Sequence, residues 1–387
     1  MSDIFHDTIP CEDCAEQRQY LSMKFEVLDC EPDASQPGAC VIRYRRKDAA
    51  AAGPLAGLQP QLSAAAFQAA PAAPQLATTL LPLQAATAKA VVNVFETGEV
   101  LGDYSAVTVL PGDTGHLSYG RSQTSLASGN LALLVQMYCD EHGARFASRL
   151  QAWLPRLHER DAGLDADEKL QNVLRACADD PVMRDVQDRF FDEAYWNRAL
   201  RAAVAQGITL PLGIAIVYDS WVHGSWRAMR DRTEAAGALR STGEKDWLRR
   251  YVRTRREWLA TNANPLLRNT VYRMDAFQRL IEQGYWGLPL PLVVRGREIS
   301  VASLSAQPPG CYDGPQPGTR SVAVQSPLLR GLDVRLLQLG LSARDYEVRA
   351  DGIYGNTSAG LVKAFQQKQG LPVTGVADPA TISLLVA

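Results

Sequence analysis

The sequence predicts a mainly helical protein with one small β segment, preceded by a minor β-containing unit and followed by a short helical module. Three observations lead there. Helical periodicity dominates residues 77–300, as in Leu131–Tyr138 and Phe190–Leu200. Within that region Tyr104–Gly120 alternates through Val107 and Val109 into Pro-Gly-Asp-Thr-Gly, a turn-rich strand segment. Residues 326–387 carry three short helical patterns separated by Gly-containing turns.

Taken in order, residues 1–48 form a small cysteine-containing unit. Lys24–Leu28 and Cys40–Tyr44 alternate like strands, with Pro32, Pro37 and Gly38 between them. Residues 49–76 are Ala-, Pro- and Gln-rich with few charges, which reads as a tether, with Ser63–Ala70 as a potential short helix. The dense helical region follows at 77–300, and a Pro/Gly linker at 301–325 contains PPG, DG and PQPG. In the final piece, 326–387, Leu336, Leu337 and Leu339, then Leu361, Val362 and Phe365, give each helix one apolar face.

Forty basic residues against 42 acidic ones leave a net charge of −2 over 387 residues, which argues against a dedicated nucleic-acid binder. The first residues have neither a basic n-region nor an apolar h-region, so no secretory signal is read there. The longest apolar run, Ile208–Tyr218, falls well short of the roughly 20 residues of a membrane span. Four of the seven cysteines, Cys11, Cys14, Cys30 and Cys40, crowd the N-terminal unit. Four thiolates complete a tetrahedral zinc site, but the gaps after Cys14 fit no standard finger. A hairpin pinned by Cys30–Cys40, or simply reduced cysteines, are the alternatives and the preferred readings.

Hydrolysis of a glycosidic bond takes a carboxylic acid that protonates the leaving oxygen and a carboxylate that attacks or activates water. Glu96 ends the apolar helix Ala88–Glu96, where packing against Val92 and Phe95 would partly desolvate it, as suits a group that must hold a proton. Seventeen residues on, Asp113 lies in the Pro-Gly-Asp-Thr-Gly turn, where amides and solvent favour the ionised form. Helix-then-loop pairs of acids are common, so the pattern alone is weak.

Two resemblances add weight. DGIYG at 351–355, KAFQQKQGL at 363–371 and VTGVADPAT at 373–381 are similar to the peptidoglycan-binding domain of bacterial and phage cell-wall hydrolases. The stretch from Val92 to Tyr138, the segment Val217–Gly224, and the later pieces Trp247–Arg255 and Leu267–Phe277 resemble the family 46 chitosanases of the lysozyme-like superfamily, in matching order. That resemblance implies an α+β lysozyme-like catalytic domain working by inversion, with no redox cofactor or catalytic metal. Glu96 would be the general acid, Asp113 the general base, and Ser118 the hydroxyl that orients the attacking water. Asp219, Arg255 and Arg268 would form a buried ion-pair network behind the acid, with Asp219 neutralising the arginine beside Glu96. His223 reads as a helix-capping or core histidine.

Two departures bear on substrate. His116 follows the base where the family has an arginine, and Asn130 stands where the chitosanases place an aspartate for a glucosamine ammonium. Asparagine lacks that charge but still hydrogen-bonds amides and hydroxyls. The expectation is therefore a cell-wall lytic glycosidase that cuts β-1,4 bonds of peptidoglycan, with chitosan as the alternative substrate. A non-catalytic wall-binding protein is the rival from another class. Action at the bacterial wall is expected, through a phage or secretion-system route. A delivery apparatus or an immunity protein would be a partner of such an effector.

Overall fold

The structure is a computed structural model that describes residues 4–10, 25–32, 39–46, 80–110 and 113–386. The 49–76 tether, Cys11 and Cys14 lie outside the described residues, as do Pro111 and Gly112 of the turn before Asp113.

In chain order, three strands come first: β1 (Ile4–Pro10), β2 (Phe25–Pro32) and β3 (Ala39–Arg46). Helix α1 (Pro82–Thr97) precedes three two-residue strands, β4 (Val107–Thr108), β5 (Ser118–Tyr119) and β6 (Thr124–Ser125). The main helices after them are α2 (Asn130–Cys139), α3 (Glu168–Cys177), α4 (Pro181–Phe191), α5 (Asn197–Gln206), α6 (Pro211–Val222), α7 (Trp226–Ala235), α8 (Glu244–Ala260) and α9 (Tyr272–Glu282). The hairpin β7 (Leu292–Val294) and β8 (Arg297–Ile299) leads to α10 (Leu332–Ala343), α11 (Asn356–Lys368) and α12 (Pro379–Val386). The protein is mainly helical with few short strands, as its periodicity predicts.

The described chain divides into two compact units. Of the described residues, those within 80–102 and 191–306 form one unit, and those within 4–46, 103–190 and 307–386 the other.

The first of these is built around α6. Pro211 starts this helix at a position where a missing N–H costs nothing, and ten of its twelve residues are buried. Being apolar almost all round, it becomes the central helix of the unit rather than a surface one. Helix α1 packs along it with Ala88, Val91, Val92 and Phe95, and ends where Gly98 adopts a left-handed conformation at φ 79°. At Gly213 a Cβ would come within 2.9 Å of Leu248 on α8, so only glycine permits this approach.

In the second unit, β4, β5 and β6 form an antiparallel sheet in that order. Val107 faces Tyr119 and Ser118 faces both Thr108 and Ser125. The N-terminal strands make a separate antiparallel sheet, ordered β1-β3-β2. There Cys30 and Cys40 are joined in a disulfide, which withdraws two of the four thiolates a zinc site would use and favours the pinned hairpin.

Helices α10–α12 surround their own core of Val334, Leu337, Leu341, Val362, Phe365 and Ile382. This module is also fastened to α3 within the same unit. Buried Asn172 donates to the Val348 carbonyl (2.7 Å) and to Ser342 Oγ (3.1 Å), and accepts from the Ala350 N–H (2.9 Å). Arg335 and Asp179, both buried, form an ion pair at 3.0 Å, and Asp179 accepts from the Tyr312 N–H at 2.8 Å. The Pro/Gly segment at 301–325 is therefore tied down at Tyr312, and again at Asp313 by Arg184 (3.0 Å). Its composition reads as a linker because Pro and Gly mark irregular backbone, whether free or packed.

Candidate active site

Glu96 sits in the last turn of α1, with its side chain 15% exposed. Its Oε1 accepts from a guanidinium nitrogen of Arg273 at 2.5 Å. The same arginine donates from Nε to Asp219 at 2.8 Å, and Asp219 accepts in turn from Arg255 at 2.5 Å. Asp219 and Arg255 have no solvent exposure, and Arg273 has almost none. Asp219 comes from the middle of α6, Arg255 from α8 and Arg273 from α9, so three helices converge behind the acid.

Burial alone would raise the Asp219 carboxyl, but Arg273 and Arg255 outweigh it and hold the group below the ordinary aspartate range. The same balance operates on Arg273. Desolvation pulls its pKa down, while Asp219 and Glu96 push it up further. Aromatic groups frame the cluster: the Arg273 guanidinium lies 5.2 Å from the Phe95 ring, and the Tyr272 hydroxyl donates to the Phe95 carbonyl at 3.0 Å. Burial and the neighbouring charge of Glu96 drive the Tyr195 phenol well above its usual range. His223 caps α6 by donating its N–H to the Asp219 carbonyl (2.8 Å), and its Nδ1 lies 3.2 Å from Arg255.

The expected arginine does not take part. Arg268 ends a one-turn helix, Pro265–Arg268, is exposed, and donates to the carbonyls of Asn262 (2.6 Å) and Ala263 (2.9 Å). Arg273, five residues on, occupies the network because it lies on the buried face of α9 with Met274, Phe277, Leu280 and Ile281. That apolar face was the available signal.

Asp113, Ser118, His116 and Asn130 belong to the other compact unit. Asp113 closes a turn on itself, its Oδ1 accepting from the Gly115 N–H at 2.9 Å. Ser118 is buried on β5, its hydroxyl 3.4 Å from the His116 carbonyl. His116 adopts φ 58° and places Nδ1 2.7 Å from Asp165, a residue sequence reasoning did not pick out. Asn130 opens α2 and is buried. Its N–H donates to Ser128 Oγ (3.2 Å), which is in turn linked to Ser125 opposite Ser118. Among the described residues no group of three or more His, Cys, Asp or Glu is placed to hold a metal ion.

The family model for glycosyl hydrolase family 46 matches residues 91–292, more than half of the chain and the whole span from Glu96 to the end of α9. The chain belongs to glycosyl hydrolase family 46. A second model, for a peptidoglycan-binding domain, matches residues 330–385, the α10–α12 module. The family 46 protein is similar to a Bacillus subtilis (strain 168) chitosanase, 26% identical over 230 residues that make up 54% of this chain and 81% of the relative. Among solved structures it is similar to the native chitosanase from Bacillus subtilis MY002, at 23% identity and a TM-score of 0.45, over 58% of this chain and 97% of that one. It is also similar to the Gynuella sunshinyii family 46 chitosanase in complex with chitotetraose, at 24% identity and a TM-score of 0.45, over 57% and 98%. The protein is thus a glycoside hydrolase with a C-terminal peptidoglycan-binding domain. No described helix is long and apolar enough to cross a membrane.

Proposed function

We propose that this family 46 enzyme hydrolyses β-1,4 bonds in the glycan of peptidoglycan, outside the cell or at its wall, by an inverting acid/base mechanism. Glu96 protonates the leaving oxygen, Asp113 takes a proton from the attacking water, and Ser118 helps orient that water. The observation that carries the reading is the partly exposed Glu96 carboxyl fixed by a buried guanidinium that Asp219 also neutralises. Two guanidiniums, of Arg273 and Arg255, face the two carboxylates of Glu96 and Asp219.

Asn130 and the C-terminal domain support an acetylated wall glycan. Asparagine at this position lacks the negative charge that would favour an ammonium. The second reading, chitosan, is favoured by the chitosanase relatives. Purified protein incubated with peptidoglycan and with chitosan separates the two, with released ends identified by mass spectrometry and the first-formed anomer by NMR. Muramic acid at the new reducing ends and inversion at the cleaved carbon are expected. Exclusive cleavage of chitosan would reverse the substrate assignment, and a retained anomer would remove Asp113 as base.

A further inference from the structure

The turn that bears Asp113 and Ser118 is gripped from two sides. On one side the segment just after β6 holds it: the Leu126 N–H donates to the Leu117 carbonyl (2.8 Å) and the Ala127 N–H to the Gly115 carbonyl (3.1 Å). On the other stands a single carboxylate. Asp165 Oδ1 accepts from the Leu117 N–H at 2.7 Å, and Oδ2 lies 2.7 Å from His116 Nδ1. Both contacts fall on the two residues immediately before Ser118. One of them, His116, is in a left-handed conformation that a non-glycine residue adopts only when its surroundings impose it.

Asp165 is itself firmly placed. It lies in the 3-10 turn Ala162–Ala166, capped by Asp161 and anchored by the fully buried Leu164. Its carbonyl accepts from Gln171 Nε2 at 2.9 Å, which joins it to the first half of α3. That helix is in turn clamped by the C-terminal module through Asn172. A carboxylate with both oxygens committed to one turn, on a rigid support, is a positioning device.

We propose that Asp165 is a positioning residue for this enzyme, holding the His116–Leu117 backbone so that Asp113 and Ser118 keep their productive placement. The proposal rests on the assignment of Asp113 and Ser118 given above. Small displacements of catalytic groups cost rate rather than affinity, by up to about 100-fold per ångström.

The test compares Asp165→Ala and Asp165→Asn in the full-length protein, using soluble chitosan oligosaccharides and solubilised glycan strands as substrates. Asp165→Ala is expected to lower kcat by about 10- to 100-fold with KM within about threefold. Asp165→Asn should restore most of the loss, because its amide can accept from the Leu117 N–H and donate to His116 Nδ1. Hydrogen exchange of the Leu117 amide should accelerate in Asp165→Ala while α3 and α6 stay protected. A kcat close to wild type, an unchanged Leu117 exchange rate, or a loss that tracks global unfolding and is not rescued by asparagine overturns the proposal. Asp113→Asn separates the two layers. If it retains full activity, the catalytic assignment fails, and the Leu117 exchange rate still decides whether Asp165 holds the turn.

Discussion

Replacing Asp219 by alanine leaves two guanidiniums in the core of the α6 unit with one carboxylate between them. Arg273 retains Glu96, but Arg255 keeps no carboxylate, only Ser225 Oγ at 3.2 Å, His223 Nδ1 at 3.2 Å, the Gly224 carbonyl at 3.5 Å and Met274 Sδ at 3.9 Å. Stranding one partner of a buried ion pair costs about 3–5 kcal/mol, and the full exclusion of Arg255 from solvent puts this case in that range. Catalysis should suffer separately. With Asp219 gone, Arg273 loses the second carboxylate that fixes its guanidinium against Glu96. A rate loss of about 100-fold follows, at the low end of what general acid assistance is worth.

The double variant Asp219→Leu with Arg255→Met separates the two effects. Apolar residues in place of a buried pair often restore stability, yet Arg273 would still face Glu96 without its second carboxylate. Urea unfolding followed by circular dichroism and initial rates on soluble oligosaccharides at matched folded fraction provide the readouts. A single variant destabilised by less than about 1 kcal/mol, or a double variant with wild-type rates, would refute the reasoning. The pH dependence has a fixed sign. Asp219 is held below the ordinary aspartate range, so its contribution is complete above that range and fades as pH falls through the lowered value.

Further outcomes can be checked on the same protein. Glu96→Gln should abolish turnover, by at least about 100-fold, while pelleting with insoluble wall material is unchanged. Asn172→Leu strands the Ala350 N–H and the Val348 carbonyl and should cost about 1–3 kcal/mol for each buried group, read as a lower urea midpoint. Burial pushes the Asp179 carboxyl up to about 6 against the pull of Arg335, so the native state takes up its proton before the unfolded chain does. Its contribution to stability should fall by up to roughly 3 kcal/mol as pH rises from about 4 to about 6, a slope that Asp179→Asn removes from the stability–pH curve. Asn130→Asp should raise the chitosan-to-peptidoglycan ratio of kcat/KM at low salt, because a carboxylate offers an ammonium a charge-assisted bond. An unchanged ratio would detach Asn130 from substrate choice.

Much of this was legible in one dimension because it depends on local pattern. The helix ending at Glu96, the turn at Asp113 and the helical module announce themselves by period and punctuation, and the order of motifs carries the family. What stayed hidden depends on which side of a helix turns inward. Arg268 and Arg273 both follow turns and both lie near apolar residues, and only the register of α9 puts the second in the core. Asp165 lies 49 residues from His116 in a short acidic loop with nothing local to distinguish it from Asp161 or Asp167. Asn172 reads as a polar helix residue whose partners are about 170 to 180 positions away in the chain.

The fastening of the α10–α12 module changes what targeting to a polymer means. A domain on a slack leash samples a sphere and raises the local concentration of every bond inside it. A domain bolted to α3 through Asn172, and to Asp179 just beyond that helix, offers its unit one orientation per binding event. The bonds within reach are then spaced by the geometry of the polymer. For the proposed activity on peptidoglycan, fragment lengths from intact sacculi should cluster accordingly, whereas those from soluble strands should spread.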